Sequence, residues 1–161
     1  MKVAVAGAGA VGRSIARELL DSDHQVTLIE RNPDHVDTED IADAQWHLGD
    51  ACELSLLESV HLESFDVVIA ATGDDKANVV LSLLAKTEFA VPRVVARVND
   101  PRNEWLFTDA WGVDVAVSTP RMLASLVEEA VAVGDLVRLM EFRKGQANLL
   151  EITLPDDTPW G

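Results

Sequence analysis

The residues with the plainest chemical potential lie at the start of the chain. Gly7-Ala8-Gly9-Ala10-Val11-Gly12 fits the spacing G-x-G-x-x-G. It follows a short apolar run, Val3–Ala6, and opens a helical pattern, which is the context this motif needs. Gly7 would allow a tight turn, Gly9 a close approach of backbone to a pyrophosphate, and Gly12 close packing of helix on strand. Ala10 and Val11 begin that helix, whose free N–H groups would hold phosphate.

An acid stands where such a loop requires one. Glu30 ends the second apolar run, 18 residues after Gly12, near the spacing of a ribose-binding carboxylate. It would accept bonds from both ribose hydroxyls and repel a 2′-phosphate, favouring NAD over NADP. Arg31 follows directly and is placed to stack on adenine or to tolerate a phosphate. Asp50 and Ala51, in Gly49-Asp50-Ala51, close a third strand at the edge that would line an adenine pocket. Asp50 is equally suited to cap the helix after it. Ala71, Thr72 and Gly73, within Ala70-Ala71-Thr72-Gly73-Asp74-Asp75, form a second small-residue loop. Arg97, at the end of a fifth strand, is a candidate phosphate clamp; an ion pair with Asp100 is its alternative role.

Other chemistries lack their residues. The chain has no tyrosine, so a Tyr-x-x-x-Lys dyad is impossible, and neither G-x-S-x-G nor G-x-x-x-x-G-K-[ST] occurs. The four histidines, His24, His35, His47 and His61, read as solvated. Cys52, the single cysteine, has no histidine beside it and reads as a packing residue; it rules out cysteine-rich zinc sites. The four tryptophans read as packing or interface residues.

The elements that must position these residues alternate. Strands are expected at Val3–Ala6, Gln25–Ile29, Trp46–Leu48, Asp66–Ala71, Arg93–Val98 and Asp114–Val117. Helices are expected at Val11–Leu20, Pro33–Ala44, Glu53–Ser59, Asp74–Lys86 and Arg102–Trp111. A last helix would run from Thr119 at the N-cap, with Pro120 in its first turn, to about Val133. Six strands with helical crossovers imply an α/β, Rossmann-like, doubly wound parallel sheet. Beyond Gly134 the pattern becomes two strand-like segments, Leu136–Phe142 and Asn148–Leu154, a β-hairpin that would open a second domain. The expected division is 1–133, nucleotide-binding, and 134–161, a linker and the start of a truncated domain.

At 161 residues, 48% of them apolar, the chain can bury a core. Its formal net charge of −15 repels nucleic acid and anionic lipid. No apolar run suits a signal peptide or a membrane span, so a cytoplasmic protein without direct membrane insertion is expected.

The joint pattern resembles the TrkA family, cytosolic regulators of potassium uptake and potassium channels built on the RCK (regulator of potassium conductance) N-domain. The segments that carry the resemblance are Val5–Arg13, the strand-end Glu30, Gly49-Asp50-Ala51, Val68–Asp75 with Asn78, and Val95-Ala96-Arg97-Val98, within residues 1–133. The resemblance implies a non-catalytic subunit that gates a membrane potassium transporter in response to NAD(H) or ATP/ADP. It implies a homo-oligomer, a dimer or a larger ring, attached to the inner face of the membrane through its partner. The family's binding positions fall on Gly7, Gly9, Gly12, Glu30, Asp50, Ala51, Thr72, Gly73 and Arg97, with Asn78 close by. Cys52 stands where the family often has threonine, and the chain ends where a C-terminal ligand-binding domain would begin. An NAD-dependent oxidoreductase fragment and a stand-alone redox or energy sensor are the competing readings.

Overall fold

The computed structural model describes residues 1–131, 136–142 and 147–152. Strands β1 (Lys2–Ala6), β2 (Gln25–Glu30), β3 (Gln45–Leu48), β4 (Val67–Ala70), β5 (Arg93–Val98) and β6 (Val115–Ser118) form one sheet in the order β3-β2-β1-β4-β5-β6. This is the doubly wound arrangement expected from the alternation of elements, and its order reverses between β1 and β4. The central strands read as apolar runs because helices cover both faces: Val3, Val5, Leu28, Val68, Val94 and Val98 are all at most 2% exposed. One core lies under α1 (Ala10–Asp21) and centres on Val5, Ala16 and Leu28. The other lies on the opposite face under α2 (Leu54–Ser59) and α3 (Asp75–Thr87), centred on Leu57, Leu62, Leu81 and Val94.

Two expected helices do not form. Over Pro33–Ala44 only Pro33–His35 is helical, as a single 3-10 turn capped by Asn32, whose side chain accepts from the Asp34 N–H at 3.1 Å. Asp37 then takes the Glu39 and Asp40 N–H groups at 3.2 and 3.1 Å. Its side chain thereby offers the backbone an alternative to helical bonding. Over Arg102–Trp111 the chain makes two 3-10 segments, Pro101–Leu106 and Asp109–Trp111. The break comes at Phe107 and Thr108, where Phe107 turns into the core at 6% exposure. Burying that ring outweighs continuing a short, polar helix.

The chain divides into two compact units, Met1–Val117 and Ser118–Gly161. The second contains α4 (Thr119–Val131) and two strands, Leu136–Phe142 and Ala147–Ile152, which pair antiparallel. Helix α4 begins at Thr119 itself, one residue earlier than expected. Its expected end near Val133, the hairpin connection and residues 153–161 lie outside the described residues.

Candidate functional site

Four strands reach the carboxyl edge in register. Ala6 pairs with Ile29 on one side and with Ala70 on the other, and Ala70 pairs with Ala96. The next residues are Gly7, Glu30, Ala71 and Arg97, so register alone brings four candidate positions to the carboxyl edge at the switch point. They line a cleft of about 440 Å³ together with Gly9, Val11, Arg31, Asp50, Ala51, Thr72 and Gly73. Ala10, Gly12 and Asn78 are not among its lining residues. Asn32, His35 and Cys52, which sequence reasoning did not place there, also line it, as does Asp74 of the second loop.

The three glycines of the loop do different work. Gly7 has φ +96°, and a Cβ on it would come within 2.8 Å of Thr72 Cα, so the first and second loops touch at this point. A Cβ on Gly12 would stand 1.8 Å from the Gly7 carbonyl oxygen, because α1 packs directly onto the turn. Gly9 is the opposite case: a Cβ there would meet nothing within 4 Å. Its missing side chain leaves open cleft at the N-terminus of α1, where unpaired N–H groups favour an anion.

Glu30 is 8% exposed. Its Oε2 accepts the Ala8 N–H at 2.6 Å and its Oε1 the Asn32 N–H at 2.8 Å. The carboxylate thus staples the glycine loop to the end of β2. An ionised carboxylate has about four acceptor directions, so two remain for a diol. His35 Nδ1 lies 3.8 Å from Oε1.

Asp50 accepts the Cys52 N–H at 2.9 Å and meets Arg31 at 3.4 Å. The backbone bond from Cys52 is the largest effect on its carboxyl; burial opposes it, and smaller contributions from the Cys52 side chain and the Arg31 guanidinium leave the carboxyl below the ordinary range. The cap residue of α2 is Glu53, not Asp50. Asp50 instead closes a turn two residues long and keeps an oxygen toward Arg31. Burial, and then Asp50, push the Cys52 thiol up to about 11. It stays protonated at neutral pH, which removes it as a nucleophile.

The loop after β4 is held from behind. Asn78 is fully buried. Its Oδ1 accepts the Thr72 N–H at 3.0 Å and lies 2.7 Å from the Thr72 hydroxyl, while its Nδ2 donates to Arg97 O at 2.9 Å. Asn99 Nδ2 donates to Thr72 O at 3.0 Å. Asn78 therefore positions the second loop and the end of β5 rather than facing the cleft.

Arg97 reaches the same cleft from β5. Its Nε is buried and has no hydrogen-bond partner among the described residues, an expensive condition for a cationic donor. The alternative pairing with Asp100 does not form: Asp100 binds Arg102, at 2.6 Å. An anion in the cleft would satisfy the orphaned donor. A larger groove, about 750 Å³, opens at the other edge of the sheet, where Lys2, Gln25 and Gln45 begin their strands. It lies beside the C-terminal ends of α1 and α2, whose dipoles disfavour anions, and it has no glycine loop.

The TrkA-N domain model matches residues 3–119. The chain belongs to the TrkA-N family. Across all 161 residues it is 83% identical to the Trk system potassium uptake protein TrkA of Mycobacterium tuberculosis, covering 73% of that protein. The TrkA-N domain of the inner membrane protein ybaL from Escherichia coli superposes with a TM-score of 0.73 at 20% identity, over 81% of this chain and 96% of that one. The GsuK channel bound to NAD superposes at 0.70 and 17% identity, over 86% of this chain and 25% of that one. The same channel bound to ADP superposes at 0.66 and 20% identity, over 78% and 33%. At these identities the likeness to the solved structures is one of fold.

Proposed function

We propose that this TrkA-N domain binds NAD(H) or another adenine nucleotide without transforming it, and that occupancy regulates a membrane potassium transporter. The observation that carries the reading is the orphaned Arg97 Nε in the cleft that Gly9 leaves open. A ligand with adenosine toward Glu30 and Asp50 and phosphates between α1 and Arg97 satisfies each unfilled donor and acceptor described above. The potassium system as partner follows from the high identity to a relative named for potassium uptake. The domain then acts at the cytoplasmic face as a homo-oligomer held to the membrane by its transporter. No helix among the described residues is long and apolar enough to cross a membrane.

The non-catalytic part of the proposal rests on the lining itself. Cys52 is protonated, and the cleft's carboxylates already serve backbone or guanidinium groups. None of them pairs with a nucleophile in the manner of an activated dyad. Calorimetric titration with NAD, NADH, ADP, ATP and NADPH tests the reading. Binding of NADH with NADPH at least about tenfold weaker, a difference of about 1.4 kcal/mol, is the expected result, because Glu30 opposes a 2′-phosphate. Sustained NADH oxidation with any added carbonyl compound would overturn the non-catalytic assignment, and failure of all five ligands to bind would overturn the nucleotide site.

A further inference from the structure

We infer that Asp74 makes the cleft discriminate by phosphate charge, admitting adenine nucleotides whose phosphates are all bridged by ester or anhydride links and disfavouring those that end in a free phosphate. The inference rests on the nucleotide-binding reading and adds to it a ligand class and a residue that selects it.

The phosphate end of the cleft has two sides of opposite character. On one side are the N-terminus of α1, open at Gly9, and Arg97 with its unpartnered Nε. On the other side is the loop Thr72–Asp74, where the Thr72 N–H and hydroxyl and the Asp74 N–H turn inward. The Thr72 N–H goes to Asn78 Oδ1 at 3.0 Å, and the Thr72 hydroxyl lies within 3.0 Å of both Asn78 Oδ1 and Asp74 O. The Asp74 N–H goes to Thr72 Oγ1 at 3.2 Å. Two amides and the hydroxyl are thus consumed inside the protein. The charged group that the loop offers the cleft is the exposed carboxylate of Asp74, held in place because its Oδ1 caps α3 through the Lys76 N–H at 2.9 Å.

The charge balance of the lining points the same way. The acids are Glu30, Asp50 and Asp74, and the guanidiniums are Arg31 and Arg97. Arg31 is paired with Asp50, leaving Arg97 as the guanidinium of the lining that makes no ion pair among the described residues. One helix N-terminus and one guanidinium suit a pyrophosphate linked on both sides, which carries one negative charge on each phosphate. A terminal phosphate carries about −1.5 to −2 at pH 7 and adds three acceptor oxygens. Beside Asp74 it meets a like charge and no spare cation.

ADP-ribose and ADP make a matched pair, since they share adenosine and both phosphates and differ in whether the outer phosphate is esterified. The test is calorimetric titration of the whole chain with ADP-ribose, ADP and ATP in buffer freed of divalent cations by EDTA, on wild type and on Asp74→Asn. Asparagine keeps the helix cap and removes the charge. Wild type should bind ADP-ribose at least fivefold more tightly than ADP and at least tenfold more tightly than ATP. Asp74→Asn should narrow both ratios by threefold or more through gains for ADP and ATP, with ADP-ribose little changed. Glu58→Gln, a neutralisation of an exposed acid on α2 outside the cleft lining, should leave both ratios as they are. Equal ratios in wild type and Asp74→Asn, or tighter binding of ATP than of ADP-ribose by wild type, would overturn the charge filter while leaving the nucleotide site standing. Absence of binding by all three ligands would sink both.

Discussion

A methyl group added at Gly9 meets nothing within 4 Å, whereas one added at Gly12 would stand 1.8 Å from a backbone oxygen. The two glycines therefore separate binding from folding. Gly9→Val should fold with a melting temperature close to wild type and lose nucleotide binding, because the valine fills the space beside the N-terminus of α1. Gly12→Ala should cost about 1–3 kcal/mol of stability, the range for forced overpacking. Thermal melts with and without NADH read both effects. Tight NADH binding by a folded Gly9→Val protein would reduce the motif to a structural turn. Gly7, Gly9, Glu30 and Arg97 were legible in the sequence because each lies at the carboxyl end of a strand or in a spaced glycine loop. Asn78, Asp74 and His35 were less so. Whether a loop residue faces a ligand or braces the loop depends on the loop's path, which no local spacing encodes.

Asp75 ties elements together in the way Asn78 ties loops. It is the first residue of α3, yet its carboxylate accepts the Asn99 and Asp100 N–H groups at 2.6 and 3.0 Å and the Asn103 side chain at 2.8 Å. Burial pushes its pKa up, but the bonds from Asn103, Asn99 and Asp100 outweigh it and hold the carboxyl below its ordinary 3.8. A depressed folded-state pKa means stability that is present above 3.8 and lost as pH falls through the folded value. Urea midpoints should therefore drop on acidification below about pH 4, and Asp75→Asn should show a shallower drop. At pH 7 Asp75→Asn should be less stable by about 1–3 kcal/mol, the cost of weakening bonds to a buried acceptor. A midpoint unchanged at pH 7 would show that the Asp75 bonds are dispensable. The same network explains a misread element. The segment after β5 is bound to α3 through Asp75, and the core claims Phe107, so Arg102–Trp111 folds as two 3-10 segments despite a helical pattern. Periodicity reported the strands well because both their faces are buried. It failed where one side chain, Asp37 or Phe107, had a stronger partner than the next turn of helix.

At the scale of the molecule, α4 leaves Leu123, Leu126 and Val127 each about half exposed or more in a chain of net charge −15. An apolar stripe on so acidic a protein has reason to be covered by another copy. Light scattering at micromolar concentration should give a dimer or larger, and Leu126→Asp should lower the mass; a wild-type monomer would contradict this. Assembly alone is not regulation. A bound nucleotide can shift a protein between states only if it binds them with different affinity, so its contacts must reach something that moves. In Met1–Val117 that route is a chain of hydrogen bonds. Arg97 and Thr72 share Asn78, Thr72 shares Asn99 with Asp75, and Asp75 holds Asn103, one turn from Trp105, which is 72% exposed. Ligand should therefore slow amide hydrogen exchange in the glycine loop, in Thr72–Asp75, and also in 99–106, a segment that contributes nothing to the cleft wall. At 100 times the dissociation constant, binding stabilises the folded unit by about 2.7 kcal/mol, which sets the ceiling on protection. Arg97→Ala should weaken binding by about 1.5–3 kcal/mol through the lost charge-assisted contact. At matched saturation it should also erase the protection of 99–106 while keeping that of the glycine loop. Protection confined to the glycine loop in wild type would mean that the nucleotide is held but not sensed, and the site would then be structural.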